Sequence, residues 1–190
     1  MPVRPGVGYP PDSMTDDTGR EALDARLAGL GVPYELFPCD PALADTAEFC
    51  AAYGFAPEDS ANTIVVVGKA IPRVYAACIV LAVDRLDVNR AVTAQLGVRK
   101  ASFASAEETR DLTGMEIGGV TPFGLPAGLR ILVDGAVMGR DRIVLGGGSR
   151  SCKVLAPPAI LLALPGAEVV AGLAGRPVPR PADAASGPSG

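Results

Sequence analysis

The chain of 190 residues contains no histidine. Ser-His-Asp and Cys-His catalysis, HExxH metalloprotease sites and histidine-ligated metals are therefore excluded in their usual forms. Any chemistry has to use Lys, Asp, Glu, Cys, Ser, Thr, backbone amides or groups of the substrate. Tryptophan is also absent and aromatic residues make up only 5% of the chain, so the core has to consist mainly of Val, Leu, Ile and Ala.

Long apolar runs and paired cysteines are missing as well. The segment YAACIVLAV is too short to span a bilayer, and the N-terminal MPVRPGVGYPPDSM has no continuous apolar stretch of the kind found in secretory signals. The four cysteines are Cys39, Cys50, Cys78 and Cys152. None belongs to a CxxC pair, so zinc ribbons and thioredoxin-type motifs have no support. We expect a reduced, cytoplasmic protein that has no membrane partner.

Acidic residues outnumber basic ones by 21 to 17, which gives a net charge of −4. This balance argues against broad electrostatic binding of nucleic acid, which needs a basic face, but it leaves room for a local basic patch.

The composition along the chain predicts one folded domain over residues 17–174. Residues 1–16 are rich in Pro, Gly and Asp and are predicted to be a disordered leader, and residues 175–190 a disordered tail. Helices and strands are interleaved irregularly between these segments. This order predicts a single domain of the α+β class with a mixed sheet, rather than a strictly alternating parallel sheet.

The patterns predict helices over residues 18–31, 45–54, 87–97 and 105–114, and a closing helix over residues 157–166. Two of them begin with capping-box patterns, Asp45 with Glu48 and Ser105 with Glu108. Strands are predicted over residues 32–38, 63–68, 76–83, 98–104, 128–138, 141–148 and 152–156. The strands TIVVVG and AACIVLAV lack strict alternation, so we expect both of their faces to be covered.

Two glycine-rich segments have both a functional and a purely structural interpretation. In GGVTPFG, residues 118–124, glycines allow a ligand to approach the backbone, and adjacent amides can point at one oxyanion. The alternative is a loop that only needs positive φ. GGGSR, residues 146–150, could cradle a phosphate, but it lacks the P-loop pattern and precedes a strand, so a tight hairpin is the simpler interpretation.

Three charged positions are open to similar alternatives. Lys69 and Lys100 are most simply solvated lysines. Lys153 is less ordinary because CKVLA is otherwise apolar, although a lysine on a strand often faces solvent. Asp134 ends a strand, where a turn aspartate is the usual explanation.

The order of the segments from about Ala22 to about Ala174 resembles the YbaK family, the prolyl-tRNA-synthetase-associated editing domains. LGVPYE, DTAEFCAAYG, SANTIVVVG, VLAVDRLDVNRAVTAQLG, ASFASAEETRDLTGMEIGGVTPFG, ILVDGAV and IVLGGGSRSCKVLAPP follow one another in the chain. The most specific piece is LTGMEIGGVTPFG, which matches the glycine–proline loop of that family.

The resemblance implies an α+β fold with a mixed, largely antiparallel sheet flanked by helices. It also implies a deacylase that hydrolyses the ester between a wrong small amino acid and the terminal adenosine of a tRNA. It implies no metal or other cofactor, an oxyanion held by backbone amides near Gly118 and Gly119, and proton transfer assisted by the neighbouring ribose hydroxyl. A small pocket would select the amino acid by exclusion. The residues assigned to substrate binding are Phe37, Thr63, Val120, Thr121, Pro122, Asp134 and Arg150. Candidates for contact with tRNA phosphates are Arg85, Arg90, Arg99, Lys100 and Arg150, each of which could equally be a solvated charge.

This chain departs from the family at two positions. The family usually carries a lysine at the start of the first core strand, where this chain has Asn62, and some relatives have an acid near the place of Lys153. We therefore hypothesise that the positive charge has moved from position 62 to position 153, on a strand that could neighbour the first. Asn62, Gly118, Gly119 and Lys153 are the predicted catalytic residues. The alternatives are a catalytically impaired module that binds aminoacyl-tRNA or a small aminoacyl-like ligand, and hydrolysis of a different small acyl ester or amide.

Overall fold

The structure, a computed structural model, describes residues 17–177. The predicted leader, residues 1–16, and residues 178–190 of the predicted tail lie outside the described part. Gly175 pairs in a short strand and Arg176 forms an ion pair with Asp84 at 3.2 Å. These contacts extend two residues beyond the predicted domain end at residue 174, which stays a prediction.

Within residues 17–177 the helices are α1 (Asp17–Ala28), α2 (Thr46–Tyr53), α3 (Thr93–Leu96), α4 (Ala106–Thr113), α5 (Gly135–Met138) and α6 (Ala159–Leu162). A π-helical turn, Val88–Val92, leads into α3, and 3-10 turns cover Pro41–Leu43 and Pro57–Asp59. The strands are β1 (Glu35–Pro38), β2 (Ala61–Gly68), β3 (Val74–Leu81), β4 (Arg85–Leu86), β5 (Ala101–Phe103), β6 (Arg130–Asp134), β7 (Ile143–Gly146), β8 (Cys152–Ala156), β9 (Ala167–Val170) and β10 (Ala174–Gly175). No helix in this described range is long and apolar enough to cross a membrane.

The strands form two main sheets. In the five-stranded sheet the order is β5-β2-β3-β6-β9, with antiparallel pairing among the first three strands and parallel pairing among the last three. The second sheet is antiparallel with the order β1-β8-β7, and β4 pairs separately with β10. The predicted α+β class with mixed sheets flanked by helices is confirmed.

Apolar side chains cover both faces of the central strands, as their lack of alternation predicts. On one face, Ile79 and Val133 pack with Leu27 of α1 and with α6. On the other face, Val66 and Leu132 belong to a second cluster with residues of the π-helical turn and α3. Burying both faces removes most apolar surface of these strands from water, which is the main stabilisation of the fold.

The two predicted capping boxes have different outcomes. At the start of α4 the hydroxyl of Ser105 accepts from the Glu108 amide at 3.1 Å, and the Glu108 carboxylate accepts from the Ser105 amide at 2.9 Å. At the start of α2 the Asp45 side chain makes no capping bond, so that prediction is wrong. The Asp45 carboxylate binds Arg150 instead.

The segment predicted as one strand over residues 128–138 is a strand followed by a helix. β6 ends at Asp134, whose side chain is buried and accepts from the Ala136 amide at 2.9 Å, which starts α5. Its second carboxylate oxygen accepts from the Ala174 amide of β10 at 3.0 Å. Asp134 therefore joins two elements of the fold.

A single parallel bridge between Ser60 and Val144 connects the two sheets. It sets the start of β2 beside β7, and β7 in turn pairs with β8. This junction positions the candidate site.

Candidate active site

A cavity of about 430 Å³ lies at the junction of the two sheets, and we call it the junction cavity. The start of β2, the ends of β5 and β7 and the beginning of α2 form its walls, together with Ile117, Gly118 and Val120. The volume falls in the range of about 300–1,000 Å³ that is typical of small-molecule sites.

The side chain of Lys153 on β8 reaches into the junction cavity. Its Nζ donates to the carbonyl oxygen of Ala44 at 2.6 Å and to that of Gly118 at 3.3 Å, and it lies 5.5 Å from the centroid of the Phe49 ring. Only 7% of the residue is exposed. The solvent-facing alternative for Lys153 is therefore wrong.

Burial lowers the pKa of Lys153 below its ordinary value of 10.5. Two carbonyl oxygens and an aromatic face compensate for part of the lost hydration of the ammonium group. An ammonium has three N–H donors, and the described bonds use two of them. The third donor is available to a ligand in the junction cavity.

Asn62 also lines the junction cavity, from the start of β2. Its Oδ1 accepts from the hydroxyl of Thr46 at 3.1 Å, which leaves the amide nitrogen as the donor that a ligand can use. The expectation that the strands of residues 62 and 153 could be neighbours is wrong, because β2 and β8 belong to different sheets and β7 lies between them. Both side chains nevertheless line the same cavity.

The hydroxyl of Thr63 is buried in the wall of the junction cavity and has no hydrogen-bond partner among the described residues. An unsatisfied buried hydroxyl costs about 1–3 kcal/mol. A polar ligand group in the cavity could satisfy it, so the substrate-binding role of Thr63 stays a prediction with a physical basis.

Residues 115–121 form the loop that we call the glycine loop. Gly118 has a φ of 93°, a conformation that favours glycine, and its carbonyl oxygen accepts from Lys153. The Gly119 amide donates to the Glu116 carbonyl at 3.0 Å, and the Gly119 carbonyl accepts from the Gly148 amide at 2.8 Å. The predicted oxyanion role of the Gly119 amide does not fit this arrangement, because its only N–H is already used in a turn.

The three loop residues predicted to bind substrate lie in different places. Val120 lines the junction cavity, whereas Thr121 and Pro122 are buried outside it. The Thr121 hydroxyl accepts from the Phe123 amide at 3.4 Å, and the Thr121 amide donates to the sulfur of Met115 at 3.4 Å. Thr121 and Pro122 therefore do not line the junction cavity, and the two bonds of Thr121 hold the glycine loop.

Arg150 lies at the rim and forms a two-point ion pair with Asp45, at 3.2 and 3.3 Å. It also donates from Nε to the Pro41 carbonyl at 3.0 Å, and it does not line the junction cavity. The hydrogen bond from Arg150 lowers the pKa of Asp45. Asp45 is the only carboxylate among the described residues that line the cavity, and this pairing makes it a poor general base.

Phe37 and Asp134, both predicted to bind substrate, lie outside the junction cavity. Phe37 packs edge-on against Phe49, with 5.7 Å between the ring centroids, and is part of an aromatic cluster. Asp134 caps α5, as described above. Both side chains are therefore buried by contacts within the fold and do not line the cavity.

Thr46, Phe49 and Phe103 are among the residues that line the junction cavity and that sequence reasoning missed. Phe49 supplies the ring near Lys153, and Phe103 is 56% exposed at the mouth. An exposed phenylalanine at the end of a predicted strand was a usable signal, whereas the position of Phe49 depends on the tertiary contact with β8. Among the described residues, no three His, Cys, Asp or Glu side chains come together as a metal-binding group. All four cysteines are buried and free.

Comparison with known proteins identifies a protein family and several solved structures that are similar to this chain. The family model described as the aminoacyl-tRNA editing domain matches residues 40–164, a range that includes every residue lining the junction cavity. The crystal structure of a candidate trans-editing enzyme for prolyl-tRNA synthetase is 26% identical, with a TM-score of 0.71 over 82% of this chain and 96% of that one.

A second crystal structure, of a protein described only as hypothetical, is 25% identical, with a TM-score of 0.70 over 78% of this chain and 96% of that one. A scaffold used for epitope grafting, 23% identical with a TM-score of 0.70, shares the fold over 82% of this chain and 97% of its own. The match of the family model over most of the chain, together with these structures, shows that the chain belongs to the aminoacyl-tRNA editing domain family.

Proposed function

We propose that this chain is a trans-editing deacylase that hydrolyses the ester of a mischarged small amino acid on tRNA. Membership of the editing-domain family and the likeness to a candidate trans-editing enzyme support this class of substrate. The observation that carries the proposal is the buried amine of Lys153 in the wall of the junction cavity, with one donor left for a ligand.

In the proposed reaction, water attacks the ester carbonyl carbon, a new C–O bond forms, and the bond to the ribose oxygen breaks. The third N–H of Lys153 donates to the carbonyl oxygen as negative charge develops there. A hydrogen bond from a charged donor is worth about 1.5–3 kcal/mol, or roughly 10- to 150-fold in rate.

The proton of the attacking water has to leave without a histidine. Asp45 is the carboxylate that lines the junction cavity, and its pairing with Arg150 weakens it as a base. The neighbouring ribose hydroxyl of the substrate is therefore the proposed proton carrier, and the released ribose oxygen receives the proton at the end. We expect this reaction in the cytoplasm, where free thiols such as those of this chain are stable.

The experiment is a deacylation assay on a panel of tRNAs charged with wrong amino acids. We expect the wild type to hydrolyse at least one ester and Lys153→Met to be at least about tenfold slower. Lys153→Gln keeps a neutral donor and should lie between them. Lys69→Met, at an exposed lysine outside the cavity, is the matched control and should be unchanged.

A second function, binding of aminoacyl-tRNA without catalysis, is favoured by the neutral Asn62 in the wall of the cavity. If the wild type hydrolysed none of the esters and still bound tRNA, the deacylase proposal would be wrong. Binding of aminoacyl-tRNA without catalysis would then be supported. Circular dichroism of each variant separates loss of function from loss of folding.

A further inference from the structure

A second cavity, of about 340 Å³, lies on the other side of the glycine loop, and we call it the arginine cavity. Adjacent residues of the shared wall face different cavities: Lys153 lines the junction cavity and Cys152 the arginine cavity. The same division holds for Val120 and Thr121. The glycine loop and β8 thus form a partition between the two cavities.

The lining of the arginine cavity is basic and polar. Arg20 and Arg26 come from α1, and Ser149 and Ser151 come from the loop between β7 and β8. No Asp or Glu is found among the described residues that line it. In a chain with a net charge of −4, this is a local concentration of positive charge.

Half of the twelve arginines in residues 17–177 form an ion pair with a carboxylate, and the two arginines of the cavity belong to the other half. Arg73, Arg130, Arg140, Arg142, Arg150 and Arg176 each form an ion pair with a carboxylate. Arg20 and Arg26 take part in none of the ion pairs found within residues 17–177. Asp24 and Glu21 lie near Arg20 in a shallow depression outside the cavity, but the Asp24 carboxylate already accepts from the Tyr34 hydroxyl at 2.7 Å.

The backbone of Gly124 lies close to the guanidinium group of Arg26. Gly124 has a φ of 95°, and a Cβ there would lie only 2.8 Å from the guanidinium carbon. A glycine at this position therefore leaves the space that Arg26 occupies beside the cavity.

Side chains rather than loop amides supply the donors in the arginine cavity. The Gly147 amide donates to the Cys152 carbonyl and the Gly148 amide to the Gly119 carbonyl. The hydroxyls of Ser149 and Ser151 lie 3.0 Å apart, so one donates to the other and the second hydroxyl hydrogen can bind a ligand. Two guanidinium groups and a hydroxyl are a donor set that suits a phosphate.

We propose that the arginine cavity is a phosphate-binding subsite, which takes a phosphate of the tRNA acceptor strand while the aminoacyl end occupies the junction cavity. The link to the acceptor strand rests on the proposed function, because it assumes a tRNA substrate. The phosphate chemistry itself rests only on the lining residues, and a free phosphate or nucleotide would satisfy the same donors.

The test measures binding rather than hydrolysis, so that it stays separate from the test of the deacylase. Affinity for uncharged tRNA is measured at several salt concentrations for the wild type and for the double variant Arg20→Gln/Arg26→Gln. The matched control is Lys69→Gln/Arg110→Gln, which removes the same charge from two exposed residues that line neither cavity. Inorganic phosphate and AMP are titrated in parallel, with NMR detection of the amides of residues 147–149.

We expect the Arg20/Arg26 variant to bind tRNA about 5-fold more weakly at 0.1 M salt. Its slope of log K against log salt should be smaller by about 0.7, which corresponds to one lost contact to a single-stranded phosphate. Loss of phosphate or AMP binding with unchanged tRNA affinity would support the subsite but assign it to a free phosphate. Equal losses in the two double variants, or no loss in either assay, would overturn the proposal.

Discussion

Lys153 and Asn62 face one cavity from two different sheets, with β7 between their strands. A cation on either strand can therefore reach the same ligand. A chain with a lysine at position 62 and an acid near position 153 would carry its cation on the opposite wall of this cavity, with a net charge there that is lower by one.

This relationship predicts the outcome of a charge exchange. Lys153→Asp should abolish deacylation, because it replaces the buried donor by a carboxylate beside the Gly118 carbonyl. Asn62→Lys/Lys153→Asp should recover activity to within about tenfold of the wild type, since one charged hydrogen bond is restored. Deacylation rates of the three proteins on the preferred ester are the measurement.

The single variant Asn62→Lys is the control for the exchange. Two ammonium groups in one cavity lower each other's pKa, so we expect no gain in rate from the added lysine. If Asn62→Lys alone were faster than the wild type, Lys153 would not be acting as the catalytic cation.

Phe103 should contribute to tRNA binding. It is 56% exposed and lines the mouth of the junction cavity, where the terminal adenine can stack on its ring. Stacking of a base on an aromatic ring is worth about 1–3 kcal/mol, so Phe103→Ala should weaken tRNA binding by roughly tenfold and Phe103→Tyr should preserve it. Leu162→Ala, at a side chain that is 57% exposed on α6, is the control. Equal affinities of the two alanine variants for uncharged tRNA would contradict this role.

Position 146 requires a glycine because the end of β7 packs directly on the glycine loop and leaves no room for a side chain. A Cβ at this position would lie 2.9 Å from the Gly119 carbonyl oxygen, which is backbone and cannot rotate away. Gly146→Ala should lower the free energy of unfolding by about 1–3 kcal/mol and slow deacylation by displacing the loop. Gly139→Ala, where the nearest atom would be 3.5 Å away, should be almost neutral. Urea unfolding of both variants tests the difference.

Cys78 should make the protein less stable at alkaline pH. Burial raises the pKa of its thiol from 9.0 to about 12. Above pH 9 the unfolded chain loses this proton while the folded chain retains it, so the folded state binds more protons and the free energy of unfolding falls. The expected slope is about 1.4 kcal/mol per pH unit up to the folded pKa.

Urea unfolding between pH 8 and pH 10.5 measures this slope. Cys78→Ala should give a shallower decline than the wild type, although not a flat one, because burial also raises the pKa of Cys152 to about 11. Val80→Ala, on the same strand and equally buried, should lose stability at every pH without changing the slope. Parallel slopes for Cys78→Ala and the wild type would refute the assignment.

Local signals predicted the parts of the fold that depend on neighbours in sequence. The box of Ser105 and Glu108 forms because both partners lie within one helical turn. The same pattern fails at Asp45, whose carboxylate binds an arginine 105 residues away. The helix α5 was missed for a similar reason, since Asp134 is buried where β6 meets β10 and turns the chain there.

The candidate site, too, could be predicted from the sequence only in part. Lys153 and Asn62 could be chosen from the sequence because they depart from the family pattern. Their side chains line one cavity because a bridge joins Ser60 and Val144, and no periodic pattern in the sequence predicts that bridge. Phe37 was predicted from the sequence, whereas the packing of β8 brings Phe49 beside the amine.

The partition between the two cavities is only one chain thick, and this has a practical consequence for mutagenesis. A substitution within the glycine loop changes a wall of the junction cavity and a wall of the arginine cavity. Its effect therefore cannot be attributed to one cavity alone. Lys153 and Arg26 reach toward this partition from opposite sides. Lys153 and Arg26 are therefore the positions at which the proposed ester hydrolysis and the proposed phosphate binding can be tested separately.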